Sequence, residues 1–548
     1  MLFFTQMKGS HRIFKAALVL LALIGMAAVS GTRASAQTPL RETNIVVSYT
    51  EHQWWLLSWT NNTILCSIFV DHEGLPTSKE VYNACGASLQ AQWLNTQPCQ
   101  KILKGNFNTE TCDGLYLHKV TSQPKTKEIS ISLPPIEVWV TLEGCDPTPL
   151  ENRCIQLPKL LLTGEEPLPN ERITAIEGLY NNQPFACEGA TCAIPLRVTP
   201  RDGIQVEFKA KSSFGDESRS FRAQVRVIES GVSQVPYGSG WFVDVLSTQW
   251  QGARLASCSQ TWEAFPPIGG LTGWLSTPDQ SQLLSSNQPY YYLAGRLIAR
   301  GIVDASACST GGLQLNGYAD ACGLETAKPV LESWQNQFDN RIIEVAKQTG
   351  VPATLMKNLF AQESQFWPGM FRVPNEFGLG QITDNGADTI LQWNPSFYDQ
   401  ICPLVLSQDT CKSGYLHLEE DEQEMLRGAL AVQAKADCPG CQLGIDLTNV
   451  DFSLSLFAKT LLANCEQVAQ IVYNASGKIA GTVSSYEDLW RLTVANYHTD
   501  PGCLSYAVHM AWNTNTNRIL WDEVSTQFTV PCKGVVPYVE KISLQSTP

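Results

Sequence analysis

Glu363 is the residue whose place in the sequence points most directly to chemistry. Leu355, Leu359 and Glu363 recur at intervals of four, which places them on one helix face, the face expected to be buried. Glu363 also falls at the C-terminal end of this helix, where the helix dipole disfavours negative charge. Burial and the dipole both favour a protonated carboxyl, the form that a general acid requires. The alternative is a Glu at a frayed helix end that turns to solvent.

Three short motifs follow one another from this residue onward. The first is the run AQESQFWP at 361–368, in which Glu363 and Ser364 precede aromatic residues and a proline. The second is GLGQI at 378–382, and the third is YHTDPG at 497–502. Each motif is weak by itself, whereas three in this order form a much stronger signal.

Together the motifs resemble those of soluble lytic transglycosylases and goose-type lysozymes, which cleave the glycan strands of peptidoglycan. The resemblance covers roughly residues 330–512, and the first two motifs have the spacing found in the family. It implies a mainly α, lysozyme-like fold with Glu363 as the sole catalytic carboxylate and no metal or cofactor. It also implies substrate-binding roles for four residues: Ser364, Gly378, Gln381 and Tyr497.

The reaction that this resemblance implies needs one carboxyl group. Glu363 would protonate the oxygen that links N-acetylmuramic acid to N-acetylglucosamine. The carboxylate would then accept a proton from the muramoyl C6 hydroxyl, which attacks C1 and closes a 1,6-anhydro ring. Because this nucleophile is intramolecular, high effective molarity replaces the second carboxylate that most glycosidases use.

Three features depart from the family's pattern. Gly380 stands where the family has Met, which predicts a looser cleft wall, and 498–500 read His-Thr-Asp instead of Asn-Ala-Gly. The stretch between the second and third motifs is longer than usual and contains five cysteines. We therefore expect a disulfide-stapled insertion at about 395–450, which could act as a lid over the cleft.

Two other functions fit the same residues. A lysozyme-type hydrolase would need a second carboxylate to activate water, about 6.5 to 9.5 Å from Glu363 in an inverting enzyme. The candidates, each of which could equally be ordinary surface charge, are Glu376, Asp384, Asp388 and Asp500. A non-catalytic cell-surface protein that only grips glycan is the alternative from a different class.

The N-terminus and the composition predict a secreted protein. Basic residues precede an apolar run at 16–29, and the small residues at 34–36 form a cleavage site, so residues 1–36 read as a signal peptide. The run is shorter than the roughly 20 residues that span a bilayer, and the mature chain has no other candidate. The formal net charge of −14, without a basic cluster, argues against a nucleic-acid partner.

Eighteen cysteines favour disulfides in an oxidising compartment. A cut at Lys328 leaves 11 cysteines before it and 7 after it. Either a bridge crosses the cut or Cys322 pairs with the C-terminal part, and we favour the second. Cys438 and Cys441 could form a redox or zinc motif, but without a second close pair a structural bridge is the better interpretation.

The hydrophobic pattern predicts a multidomain chain with β-sheets in front and helices behind. Residues 37–163 alternate as in strands, and 164–230, with period-2 runs at 204–210 and 221–227, suggest an immunoglobulin-like sandwich. Residues 231–325 read as a connector of uncertain fold, and 326–548 as the helical catalytic domain. Within the latter, apolar residues at helical spacing from Val330 to Ala346 predict one helix that Gly350 ends.

Overall fold

The computed structural model describes residues 41–97, 99, 112–145, 153–231, 240–252, 257–268, 270–369, 376–438, 440–441, 444–513 and 515–544. The predicted signal peptide, residues 1–36, lies outside these ranges. The chain divides into two compact units, the first of which reaches Pro135 and includes two short later segments. β-Sheets come first and a mostly helical region follows, which confirms the predicted two-part layout. The prediction that the front part is all β is wrong, because it also contains the helix Ser78–Leu94.

The first unit is a small antiparallel sheet covered by one helix. Strands β1 (Glu42–Ser58), β2 (Ile64–Val70) and β3 (Leu115–Ser132) pair in the order β2-β1-β3, and helix α1 is Ser78–Leu94. Its core contains Trp54, so this tryptophan packs inward. The bridge between Cys66 and Cys85 joins β2 to α1 and holds the helix over the sheet.

The second unit begins with two antiparallel sheets that share one core. A six-stranded sheet has the order β5-β12-β11-β10-β7-β8 and a three-stranded sheet the order β4-β6-β9. The strands are β4 Glu137–Glu143, β5 Arg153–Cys154, β6 Lys159–Glu165, β7 Ile173–Tyr180, β8 Gln183–Glu188, β9 Thr191–Pro195, β10 Ile204–Ser212, β11 Phe221–Glu229 and β12 Trp241–Leu246. They extend on both sides of the predicted range 164–230, because the shared core needs strands from either side of it.

The two period-2 runs of the sequence become neighbouring strands. β10 and β11 pair antiparallel with Phe208 opposite Phe221. The alternate residues of both strands point into the core and are buried, Val206, Phe208 and Ala210 on β10 and Phe221, Ala223, Val225 and Val227 on β11. One polar and one apolar face per strand is what the alternation predicts.

The rest of the second unit is helical. Its helices are α2 Ser257–Trp262, α3 Tyr291–Ala299, α4 Ala321–Asn336, α5 Asp339–Thr349, α6 Ala353–Glu363, α7 Asp384–Trp393, α8 Pro395–Val405, α9 Gln408–Cys411, α10 Glu420–Ala434, α11 Leu447–Ser476, α12 Ala480–Val483, α13 Tyr486–His498, α14 Pro501–Ala511, α15 Trp521–Ser525 and α16 Val535–Leu544. Four short 3-10 helices lie at Gly273–Leu275, Ser281–Leu284, Tyr415–His417 and Val530–Cys532.

The single helix predicted up to Gly350 is wrong in its extent. The structure has α4, which starts nine residues before Val330, and a separate α5, with a break near Phe338. Gly350 does end α5, in the left-handed conformation with φ 73°, as predicted from glycine's tolerance of positive φ.

The segment predicted as a connector contributes to the helical core. Trp262 and Leu293, which are fully buried, belong to the same hydrophobic cluster as the helices after residue 330. The Trp262 indole donates a hydrogen bond to the carbonyl of Cys465 on α11, 3.0 Å away. Residues 257–325 therefore fold as part of the helical region.

Nine disulfide bridges occur, and none of the described cysteines is free. The prediction that Cys322 pairs with the C-terminal part is wrong, because Cys322 is bridged to Cys308 and the bridge Cys258–Cys465 crosses the cut at Lys328. The bridge predicted within the CxxC segment, Cys438–Cys441, is present. The remaining bridges are Cys99–Cys112, Cys145–Cys154, Cys187–Cys192, Cys402–Cys411 and Cys503–Cys532.

Within the part of the chain that the structure describes, no helix has the length and apolar character needed to cross a bilayer. Nor do the described His, Cys, Asp and Glu side chains form a cluster suited to a metal ion. Of the predicted insertion, the described part consists of α8, α9, α10 and the start of α11. Its role as a lid stays a prediction.

We predict that replacing Cys258 and Cys465 together by Ala destabilises the protein more than replacing Cys402 and Cys411. The first bridge spans 207 residues and the second spans 9. Because a disulfide acts mainly by restricting the unfolded chain, we expect losses of about 5 and about 2.5 kcal/mol. Guanidinium unfolding of both double variants measures this difference. An equal or larger loss for the short bridge would contradict it.

Candidate active site

Glu363 is the last residue of α6, a helix whose body is buried. Leu355 and Leu359 are fully buried, so the face that the spacing predicted to be internal is internal. The carboxyl itself is partly exposed, at the point where the helix reaches the surface. α6 therefore acts as a rigid core element that holds one carboxyl group at its end.

A tyrosine from the C-terminal helix contacts this carboxyl directly. The Tyr538 hydroxyl, on α16, donates a hydrogen bond to Oε1 of Glu363. Burial, and then the negative charge of Glu363, raise the pKa of Tyr538 well above its ordinary value. The phenol therefore stays protonated, and remains a donor, throughout the neutral range. Tyr538 lies beyond residues 330–512, and no motif marks it in the sequence.

His498 lies against the outer side of this tyrosine. Its ring stacks on that of Tyr538 with centroids 3.7 Å apart and planes 7° from parallel. Although the residue as a whole is exposed, desolvation of the imidazole lowers the pKa of His498, so the ring is neutral at neutral pH. His498 thus supports the side chain that binds Glu363.

Tyr497 brings the third motif to the same place. Its hydroxyl donates a hydrogen bond to the carbonyl of Gly380, in the second motif. Burial raises the pKa of Tyr497 well above its ordinary value, and the charges of Glu363 and Glu376 raise it further.

The second motif forms a tight turn that the first motif holds in place. Phe377 and Ile382 pair across the turn. The Ser364 hydroxyl donates to the carbonyl of Leu379 at 2.7 Å, and the amide of Leu379 donates to the hydroxyl of Ser453 on α11 at 3.1 Å. Ser364 is fully buried, so it fastens the turn to the end of α6.

Gly378 and Gln381 complete this turn. Gly378 has φ +74°, and a Cβ there would lie 2.2 Å from the hydroxyl of Ser453, so only glycine allows α11 this close. The Gln381 side chain is buried, and its amide donates to the carbonyls of Gly369 and Gly378 at 3.0 and 2.6 Å. The structure thus brings Ser364, Gly378 and Gln381 together beside Glu363. Their contact with a substrate stays a prediction.

The prediction that Gly380 loosens the cleft wall is wrong. A Cβ at position 380 would lie 2.0 Å from the ring of Phe457 on α11. Phe457 is fully buried and also packs on the rings of Phe360 and Tyr497, with centroids 4.7 and 5.4 Å away. The space that a side chain at 380 would need is filled by an aromatic ring from α11.

The chain directly after Glu363 is held in an uncommon conformation. Gln365 and Phe366 have φ values of 48° and 62°, which non-glycine residues rarely adopt. The side-chain carbonyl of Gln365 accepts hydrogen bonds from the amides of Tyr292 and Leu293, in the first turn of α3. The Trp334 indole donates to the carbonyl of Phe366 at 3.1 Å. These contacts tie the first motif to α3, a link that the sequence did not indicate.

Two of the four candidates for a second carboxylate have structural partners. Asp388 forms an ion pair with Arg427 at 3.0 Å, and Asp500 caps α14 through the amide of Gly502. Asp384 lies in the first turn of α7, where the helix dipole favours a negative charge. Glu376 is the remaining candidate, and its charge contributes to the raised pKa of Tyr497. A role for any of the four in activating water stays a prediction.

Comparison with known protein families, with curated proteins and with solved structures found no match for this chain. The function must therefore be argued from the residues and their geometry.

We predict that Gly380→Met, which installs the residue of the lytic transglycosylase pattern, destabilises the protein by at least about 2 kcal/mol through overpacking. Phe457→Ala in the same chain should remove the clash, so the double variant should lose less stability than the sum of the two single losses. Unfolding midpoints in guanidinium measure both effects. Gly428→Met on α10, where a Cβ meets nothing within 4 Å, is the control. If the stability losses of the two single variants add fully in the double variant, Phe457 is not what obstructs a methionine at position 380.

Proposed function

We propose that this protein is a secreted peptidoglycan lytic transglycosylase with Glu363 as its catalytic acid and base. The proposal includes a lysozyme-like fold for the helical region and an immunoglobulin-like arrangement for the two sheets. The observation that carries it is the convergence of three motifs, the third of which is far from the other two in sequence. Ser364, next to Glu363, and Tyr497 both bind the turn at 378–382, at the end of one buried helix.

The surroundings of Glu363 suit a group that must be an acid and then a base. As an acid it gives its proton to the departing N-acetylglucosamine oxygen while the bond from C1 of N-acetylmuramic acid breaks. The carboxylate that remains accepts a hydrogen bond from Tyr538, which stabilises its charge. It then takes the proton of the C6 hydroxyl as that oxygen bonds to C1, so Glu363 ends protonated and no water is consumed.

Neutral aromatic side chains support this role of Glu363. Tyr538, a neutral phenol, donates a hydrogen bond to the carboxyl, and His498, a neutral imidazole at neutral pH, stacks on Tyr538. A neutral donor stabilises the carboxylate without adding a charge of its own.

Secretion is part of the proposal. Nine disulfides, distributed over both units, are typical of an oxidising compartment such as the cell envelope or its exterior. Peptidoglycan is the glycan found there that contains the muramoyl C6 hydroxyl that the mechanism requires.

We predict that Glu363→Gln reduces the release of muropeptides from purified sacculi by about 100-fold or more, because the amide cannot donate or accept the proton. Mass spectrometry of the soluble products measures this release. Glu344→Gln, an exposed glutamate on α5, is the matched control and should keep full activity. If Glu363→Gln releases muropeptides at the rate of the unmodified protein, Glu363 is not the catalytic residue. Glycan binding without catalysis would then be the better interpretation.

The same products separate the transglycosylase from the hydrolase. We expect 1,6-anhydro-muramoyl ends, and we expect Glu376→Gln to change the rate by less than about tenfold, because no water needs activation. Glu376 is tested because its charge reaches Tyr497. Reducing ends, together with a loss of about 100-fold or more in Glu376→Gln, would instead establish hydrolysis.

We predict that Tyr538→Phe moves the alkaline limb of the pH–rate profile upward by about one unit. The phenol donates to the carboxylate, so its loss removes a stabiliser of the charged form and the carboxyl keeps its proton to higher pH. The pH dependence of anhydro-muropeptide release measures the shift. Tyr506→Phe, at an exposed tyrosine on α14, should leave the limb in place. A downward shift would contradict the assigned role of Tyr538.

A further inference from the structure

A polar cleft lies in the second unit where the β10–β11 side of the six-stranded sheet meets the helical region. One cavity of about 780 Å³ is lined by residues of the sheet and of the helical region, among them Arg201, Glu263 and Arg518. A second cavity of about 610 Å³ has Arg219 and Arg222 in its wall. The two share Gln224, Glu263 and Thr482, so they form one elongated cleft, called here the sheet–helix cleft.

The charge of this cleft is opposite to that of the protein. The chain has 38 basic and 52 acidic residues. The lining of the cleft has five arginines and three acids. Arg226 is neutralised by Asp244, and Glu487 by Arg491 at 2.7 Å. Four arginines and two acids, Asp202 and Glu263, remain. An excess of arginine on an acidic protein indicates a site for negatively charged groups.

Four of the five guanidinium groups are available to a ligand. Arg219 and Arg222 have side chains that are 71% exposed, with their nearest carboxylate oxygens at 3.9 and 3.8 Å. Arg201 and Arg518 are exposed, and neither forms an ion pair with any residue that the structure describes. Guanidinium groups bind carboxylates in a bidentate manner. The cleft thus presents a row of carboxylate-binding groups.

The fifth arginine builds the wall. Arg226 is buried, forms an ion pair with Asp244 and donates to the carbonyl of Pro266 at 2.6 Å. Its guanidinium also lies over the ring of Phe265, 4.6 Å from the centroid. This arrangement holds the 264–267 loop against the sheet, so this wall of the cleft is formed before any ligand binds.

The opposite wall is equally well defined. A Cβ at Gly481 would lie 2.4 Å from the carbonyl of Glu263. The backbone of α12 therefore packs directly against the backbone at Glu263. Glu263 and Asn517, both in the lining, have φ values of 49° and 54°. Left-handed non-glycine residues of this kind concentrate at ligand-binding sites. Preformed walls lower the cost of ordering a ligand.

We infer that the sheet–helix cleft binds the stem peptides of peptidoglycan, an inference that rests on the proposed function. A stem peptide is short, extended and rich in free carboxylates, whereas the glycan strand has far fewer charges. Each cavity has the volume of a small-ligand or short-peptide site, about 300–1,000 Å³. Binding there would retain the enzyme on strands that still carry their peptides.

Isothermal titration of the mature protein with a soluble stem tripeptide, L-Ala-D-Glu-diaminopimelate, tests the inference. We expect Arg201→Gln with Arg518→Gln to weaken binding at least tenfold. Arg172→Gln, an exposed arginine just before β7 and outside the lining, should bind as the unmodified protein does. No binding by the unmodified protein, or equal binding by the double variant, overturns the inference.

Rates of glycan cleavage distinguish a failure of this inference from a failure of the proposed function. The rate on intact sacculi is compared with that on glycan strands from which an amidase has removed the peptides. We expect the ratio of the two rates to fall several fold in the double variant, and an unchanged ratio counts against the cleft. If no anhydro products form at all, the proposed function fails, while tripeptide binding still reports on the cleft.

Discussion

The candidate site depends on the close approach of α11 to the turn at 378–382. Ser453 and Phe457 lie one helical turn apart on α11 and meet this turn where Gly378 and Gly380 have no side chains. Ser453 accepts from the backbone of the turn, and Phe457 fills the space beside it and packs on Tyr497. Because the turn is buried against a thirty-residue helix, the groups around Glu363 are set by packing in a dense core.

The same helix joins the parts of the second unit. Cys465 on α11 is bridged to Cys258 on α2, and the Trp262 indole binds the carbonyl of Cys465. Asn464 accepts a hydrogen bond from Asn496 on α13 at 2.7 Å, which orients the helix that carries Tyr497. A segment without an obvious pattern in the sequence, 257–325, thus becomes part of the support for the site.

The chemistry of Glu363 is shaped by aromatic neighbours. Tyr538 approaches from α16, and His498 stacks on it from the end of α13. The bridge Cys503–Cys532 holds the chain between these two helices. In the proposed mechanism, Tyr538 would stabilise the charged state of this carboxyl as a neutral donor.

The sequence by itself indicated several of the elements and the candidate carboxyl. Alternation marked β10 and β11, the spacing of Leu355, Leu359 and Glu363 marked α6, and three motifs named the residues that meet at its end. These features are local, so short-range periodicity and backbone preference reveal them. Only the tertiary structure decided that Tyr538 contacts Glu363, that Phe457 occupies the space beside Gly380 and that Cys258 pairs with Cys465. Those contacts join residues about 80 to 200 positions apart, and packing of whole helices, which no local pattern encodes, selects them.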